Sequence, residues 1–204
     1  MKKIGAGLQF NVYDLGNGRV MKTPRSTFQM YLTNFLWEPH LIFAPGVLKK
    51  RVQKAKEDRR FALKYFREKE ERGKLGNLCI KNGVAFQDKL NTVRNVLRRN
   101  PESYRKVVDK YLELVFSCWR LGFSDKIYNF TVNCGFDSKG NILLMDFGEI
   151  TTEKENVEDS IKNKRWAKSD CYRKRLGRKA KKYYFRKMSK YLTKENLDKY
   201  WRAK

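Results

Sequence analysis

The sequence predicts an α+β fold, with a small β-rich first part over about residues 1–90 and a mainly helical second part over about 91–204. Three observations predict it. The tripeptides Gly16-Asn17-Gly18 and Lys81-Asn82-Gly83 lie between short apolar runs, and Asn-Gly turns close β-hairpins. Residues 102–121 repeat Val107, Val108, Tyr111, Leu112, Val115, Phe116 and Trp119 at helical spacing. A further hairpin pattern, Asn133 to Glu149, is embedded in the helical part.

Each element has a local reason. Residues 3–23 form a hairpin. Val12 and Tyr13 begin one strand, Gly16-Asn17-Gly18 turns the chain, and Arg19 to Thr23 return with Lys22 on the strand. Upstream, Gly5 and Gly7 let the backbone approach phosphate oxygens with N–H groups pointing at them. Lys22 then brings an ammonium beneath the same phosphates. Thr27 to Leu36 reads as a short helix or a partly buried connection, and Pro39 breaks any helix after Glu38. A Pro45-Gly46 turn leads to a charged amphipathic helix from Leu48 to Arg72, stopped at Gly73. Leu78 to Leu90 holds two short strands, the second of which, Val84 to Leu90, acts as connector between the two parts. A helix from Asn91 to Arg99 stops at Asn100-Pro101. The 102–121 helix is central, and a basic helical tail begins at Asp159.

The chemistry concentrates between Asn133 and Glu149. A turn around Ser138-Lys139-Gly140-Asn141, with Gly140 at positive φ, folds Asn133 back toward Asp146. One amide oxygen and one carboxylate can then face one ion, and hard oxygen donors suit magnesium. Ile142, Leu143 and Leu144 anchor the strand from below, and Gly148 frees the backbone after Asp146. The plainer alternative is an ordinary hairpin with Asp146 at a solvated strand end.

Gly5-x-Gly7, Val12 and Lys22, followed far downstream by Asn133 and Asp146-Phe147-Gly148, resemble the protein-kinase-like superfamily. With Glu149 and the basic segment Trp166 to Arg173, the chain is similar to the YrbL-type kinase-like proteins, a minimal bacterial or viral form. The motifs cover the two ends of a span from about residue 4 to 150, and the middle matches only in the order of elements. The resemblance implies one kinase-like domain with two lobes, the second truncated, and ATP with Mg2+ as cofactors. It implies that Gly5 and Gly7 form the phosphate loop, that Val12 and Val20 cover the adenine, and that Lys22 pairs with the α- and β-phosphates. Asn133 and Asp146 would hold the metal.

Two departures bear on activity. Phe10 stands where the family has its third glycine, which stiffens the loop or folds a ring over the phosphates. Tyr128 stands where the family's catalytic Asp precedes the metal-binding Asn, and no His-Arg-Asp occurs. Tyrosine is a poor base near neutrality, and losing a general base costs roughly 10²–10⁴ in rate. Asp125 is either a substitute base or a solvated loop acid. The carboxylate that pairs with Lys22 is not fixed by spacing; Glu57, Asp58 and Glu68 are the candidates within 49–71. The 55 residues after Glu149 contain no Ala-Pro-Glu. A peptide acceptor is therefore not held as ordinary kinases hold one, and the phosphoacceptor stays unknown.

Composition sets further bounds. The formal charge is +25, concentrated in 49–74 and 162–190, where Trp166, Tyr172, Tyr183, Tyr184 and Phe185 alternate with Lys and Arg. Such a field attracts polyanions, nucleic acid or anionic lipid, and the aromatics offer stacking surfaces for bases. Alternatively the rings face the core and the cations face water. The four cysteines are scattered without a Cys-x-x-Cys pair, the one histidine, His40, has no Cys or Ser nearby to partner it, and no apolar run spans a membrane. With no apolar signal region after Met1-Lys2-Lys3, a cytoplasmic protein is expected. Three functions stay open: a minimal phosphotransferase acting on a protein or other hydroxyl, a nucleotide-binding pseudokinase whose basic surface docks nucleic acid or an acidic partner, and AMP transfer.

Overall fold

A computed structural model describes residues 1–68, 73–168 and 176–202, and divides the chain into two compact units: residues 1–72 with 77–89, and residues 73–76 with 90–204. The fold is α+β.

The first unit is built on a five-stranded antiparallel sheet ordered β1-β2-β3-β5-β4. Its strands are β1 (Lys2–Ala6), β2 (Phe10–Asp14), β3 (Arg19–Pro24), β4 (Cys79–Lys81) and β5 (Val84–Asp88). The β4–β5 turn places both Asn82 (φ 49°) and Gly83 (φ 74°) in the left-handed region, the geometry whose twist matches a two-residue hairpin. Val84–Asp88 is therefore a strand inside the sheet, paired with both β3 and β4, and not a connector. Ion pairs from Lys89 to Asp14 (2.5 Å) and Arg19 to Asp88 (3.9 Å) join β2, β3 and β5 at one end of the sheet.

Two helices complete this unit. α1 (Thr27–Trp37) opens with a capping box, in which Ser26 accepts from the Gln29 N–H and Gln29 accepts from the Ser26 N–H. It ends at Glu38, before Pro39. α2 (Pro45–Glu68) begins three residues earlier than the apolar pattern predicts, because proline needs no N–H partner in a first turn. Pro45-Gly46 is that turn. Met30, Val52 and Ala55 are buried against one another where the two helices meet. The opposite side of this region leaves Phe28, Leu36, Trp37 and Phe43 exposed.

The second unit is mainly helical. α3 (Val93–Arg99) is capped by Thr92, whose hydroxyl accepts from the Asn95 N–H. α4 (Tyr104–Arg120) buries Val107, Val108, Tyr111, Leu112, Val115 and Trp119, as its spacing predicts. A three-stranded sheet ordered β6-β8-β9 joins Asn91–Thr92, Cys134–Phe136 and Ile142–Leu144. A second, two-residue pairing joins β7 (Ser124–Asp125) to β10 (Ile150–Thr151). Between them lies one helical turn, α5 (Phe130–Asn133).

The tail differs from the sequence expectation. It begins at Lys154, and its described residues form α6 (Lys154–Lys162), α7 (Arg165–Lys168), α8 (Arg178–Tyr191) and α9 (Lys194–Tyr200). Cys171, Tyr172 and Arg173 lie outside the described residues. The tail's aromatics do not offer stacking surfaces as a set: Trp166 and Tyr184 are fully buried. Phe130 is stacked between Tyr111 of α4 (4.6 Å) and Tyr184 of α8 (5.3 Å), and Trp166 meets Tyr184 edge-on at 6.2 Å. Tyr183 donates to Asp109, which also pairs with Lys187 at 2.8 Å. Tyr184 takes the inward face of α8, while Arg178, Lys182, Phe185, Arg186 and Lys190 are exposed. Among the described residues no helix is long and apolar enough to cross a membrane.

Tyr184→Ala removes the central ring of this column and is expected to destabilise the protein by about 3–5 kcal/mol in chemical denaturation. A loss under about 1 kcal/mol would show that the tail is not part of the core.

Candidate active site

The residues singled out in the first unit gather on one face of its sheet. Val12 on β2 lies directly opposite Lys22 on β3, and Ala85 on β5 opposes Lys22 from the other side. Val20 is two residues from Lys22 and so projects to the same face. Gln87 opposes Val20 and is buried, a member of this face that nothing in the sequence marked. Lys22 itself is 8% exposed.

The glycine loop is tighter than its sequence suggests. Gly7 donates its N–H to the Phe10 carbonyl (2.9 Å), so that donor closes the β1–β2 turn and is not aimed at a ligand. Phe10 opens β2 and is buried. Two guanidiniums hold the loop through its carbonyls. Arg25 donates to the Gly7 oxygen at 2.6 Å, and Arg59 of α2 donates to the oxygens of Gln9 (3.0 Å) and Arg25 (2.9 Å). Neither Gly5 nor Gly7 adopts a left-handed φ, and a Cβ on either meets open space. Of the acidic candidates on α2, Glu57 accepts from Gln53 and Asp58 from Lys54 (3.0 Å); Glu68 is the last residue of the helix.

In the second unit, one carbonyl fixes the geometry. The Asn133 oxygen accepts the N–H groups of Met145 (2.6 Å) and Asp146 (3.1 Å), closing the open end of the β8–β9 hairpin. At the other end Gly140 takes φ 75°, and Asp137 caps the turn by accepting from the backbone of Lys139 and Asn141. Lys110 of α4 ties that turn down through the Gly140 oxygen. Beyond the hairpin, Asp146 Oδ1 accepts from the Gly148 N–H (3.1 Å), while Phe147 is wholly buried. Asn133 is buried and Asp146 exposed. Gly135, between them, is irreplaceable for space: a Cβ there would sit 2.7 Å from Leu90 Cβ and 2.8 Å from Met145 Sδ.

Asp125 belongs to this site and is not a solvated loop acid. The β7–β10 pairing sets Asp125 opposite Ile150, and the Lys126 N–H donates to the Glu149 oxygen (3.0 Å), tying the chain after Asp146 to the chain around Asp125. Asp125 Oδ1 accepts from the Ile127 N–H, and Oδ2 is shut off from solvent without a partner. Burial pushes this carboxyl up to about 7, and the charge on Asp146 adds to the rise. The N–H groups of Ile127 and Tyr128 and the side-chain amide of Asn133 pull it the other way. Tyr128 is buried, with φ 56°, and burial raises its hydroxyl pKa further from neutrality. Its ring is part of the core of the second unit.

The donor set fits a hard divalent cation. Asp125, raised by burial and by the neighbouring Asp146, an amide oxygen on Asn133 and one carboxylate oxygen buried without a partner together favour a bound positive charge. Among the described residues no group of three or more His, Cys, Asp and Glu side chains could hold a metal ion. A scan against protein-family models finds no match, and no curated protein matches the sequence.

The raised pKa has a definite sign. Between its ordinary 3.8 and about 7, the folded Asp125 keeps a proton that the unfolded chain has released. The group therefore stabilises the fold at low pH, and that contribution is lost as pH rises through 7. In metal-free buffer, Asp125→Asn is expected to raise the melting temperature by several degrees at pH 8 and by much less at pH 5. An equal shift at both pH values would contradict the assignment.

Proposed function

We propose that the chain is a minimal ATP- and magnesium-dependent phosphotransferase of the protein-kinase-like kind. The observation that carries the reading is the convergence of Asp125, Asn133 and Asp146 at one hairpin mouth. The first unit supports it with a five-stranded sheet in the order β1-β2-β3-β5-β4 and a buried strand lysine, Lys22, beside Val12 and Val20.

In this reading Asn133 and Asp146 hold the metal, Lys22 neutralises phosphate charge, and Val12 with Val20 form the apolar bed for the base. Bound magnesium would neutralise charge on the phosphates as it transfers. An acceptor hydroxyl attacks the γ-phosphorus, the bond to the bridging oxygen breaks, and ADP leaves. Asp125 takes the hydroxyl proton. Its suitability rests on position: its carboxylate faces Asn133 and Asp146 from the strand that ties the two ends of the site together. Transition states of this kind are loose, so positioning and charge carry most of the rate, and a displaced base is tolerable.

A second reading is a nucleotide-binding protein whose basic surface docks a polyanion. It is favoured by α8, whose outward face aligns Arg178, Lys181, Lys182, Arg186 and Lys190 around the exposed ring of Phe185.

One set of measurements separates the two. ATP with magnesium is expected to raise the melting temperature of the wild type and leave Asp146→Ala unmoved. With γ-labelled ATP, label should pass to an added hydroxyl acceptor and fall about 10²–10⁴-fold in Asp125→Asn. Stabilisation without transfer from the γ position would favour the docking reading, and transfer from the α position would indicate AMP transfer. No stabilisation by ATP would overturn both.

A further inference from the structure

We infer that the second unit carries a separate binding site for a phosphate group, in a cavity of about 640 Å³ at the start of α8. It uses none of Lys22, Asn133 or Asp146, so it stands whether or not the kinase-like reading does.

Two segments bring positive charge to the cavity. Arg94 and Arg98 lie one turn apart on α3 and share a face of it. Arg178 and Lys179 come from the first turn of α8. Among the described residues none of the four is paired with a carboxylate, and Glu102 is the one acidic side chain in the lining. Four like charges around one hollow repel each other, and a dianion relieves that repulsion.

The backbone supplies the second part. α8 is a 14-residue helix whose N-cap is Gly177, and no side chain caps it. The first N–H groups of a helix have no intrahelical partner and carry the positive end of the helix dipole. Here they open onto the cavity, since Gly177, Arg178, Lys179 and Ala180 all line it. A Cβ on Gly177 would meet nothing within 4 Å, so the backbone is open to approach.

The third part is Thr131, which also lines the cavity. It is 1% exposed, and its hydroxyl is buried without a hydrogen-bond partner. A buried hydroxyl left unpaired costs free energy unless a ligand or water satisfies it.

These features together select phosphate. Its several oxygens accept at once from guanidinium forks, from helix N–H groups and from a hydroxyl. The cavity exceeds the volume of one phosphate and falls in the range of small-molecule sites, so the group is attached to something larger. That larger body is either a small phosphorylated molecule or the end of a nucleic-acid strand.

The test is calorimetric titration of inorganic pyrophosphate into the full chain with EDTA present. Saturable binding is expected in wild type and in Asp146→Ala. It should weaken by tenfold or more in Arg94→Gln/Arg98→Gln, in line with about 1.4 kcal/mol or more from lost charge-assisted bonds. Gly177→Asp gives a second readout. A carboxylate at this N-cap occupies the helix N–H groups and repels anions, so the melting temperature should rise while pyrophosphate binding disappears. Binding unchanged in both variants, or no saturation in wild type up to about 10 mM, where affinity falls below the weakest specific range, would overturn the site. Displacement of pyrophosphate by a 5′-phosphorylated single-stranded oligonucleotide, but not by its unphosphorylated form, assigns the phosphate to a strand end. No displacement by either assigns it to a small phosphorylated molecule.

Discussion

The Asn133 carbonyl is the point on which the candidate site turns. By accepting from both Met145 and Asp146 it closes a hairpin whose far end is fixed by Gly140, Asp137 and Lys110. A strand pair alone leaves its ends free to splay. This closure sets the amide of Asn133 and the carboxylate of Asp146 at one mouth, and the space at Gly135 admits no side chain. Phe130, stacked between Tyr111 and Tyr184, anchors the helical turn that ends at Asn133. The basic tail thus contributes to the site by packing behind it.

Negative charge is crowded at that mouth. Asp125 is raised by burial and by Asp146, and its Oδ2 has no partner. Structure that retains such a charge arrangement usually has a use for it. In the proposed reading, a metal carrying phosphates would resolve the repulsion between the carboxylates and leave Asp125 next to whatever the phosphates approach. The phosphate site proposed at α8 follows the same logic with opposite sign: convergent cations and orphan N–H groups in place of convergent carboxylates.

Much of this was legible in the sequence where the determinant is local. Asn82-Gly83 and Gly140 announce left-handed turns because few other residues adopt that backbone region cheaply. The α4 face followed from spacing, and Asn133 with Asp146 followed from the hairpin between them. Other parts were not legible because their causes are distant in the chain. The β7–β10 pairing is two residues long, and no local pattern reveals that Asp125 will lie opposite Ile150. The burial of Gln87 depends on a strand order that only the folded sheet supplies. Helical spacing told that Trp166 and Tyr184 alternate with cations, but not which face would be buried. Gly7 was read as offering its N–H outward, and the Phe10 carbonyl takes it instead.

The most direct test of the central account is electron paramagnetic resonance of Mn2+, substituting for magnesium, titrated into the protein with and without ATP. The account predicts that the wild type immobilises the Mn2+–ATP complex and broadens its spectrum, that Asn133→Ala does so less, and that Asp146→Ala leaves the spectrum as it is without protein. Equal immobilisation by the wild type and Asp146→Ala would contradict it, because the cation would then sit away from the mouth that Asn133 closes.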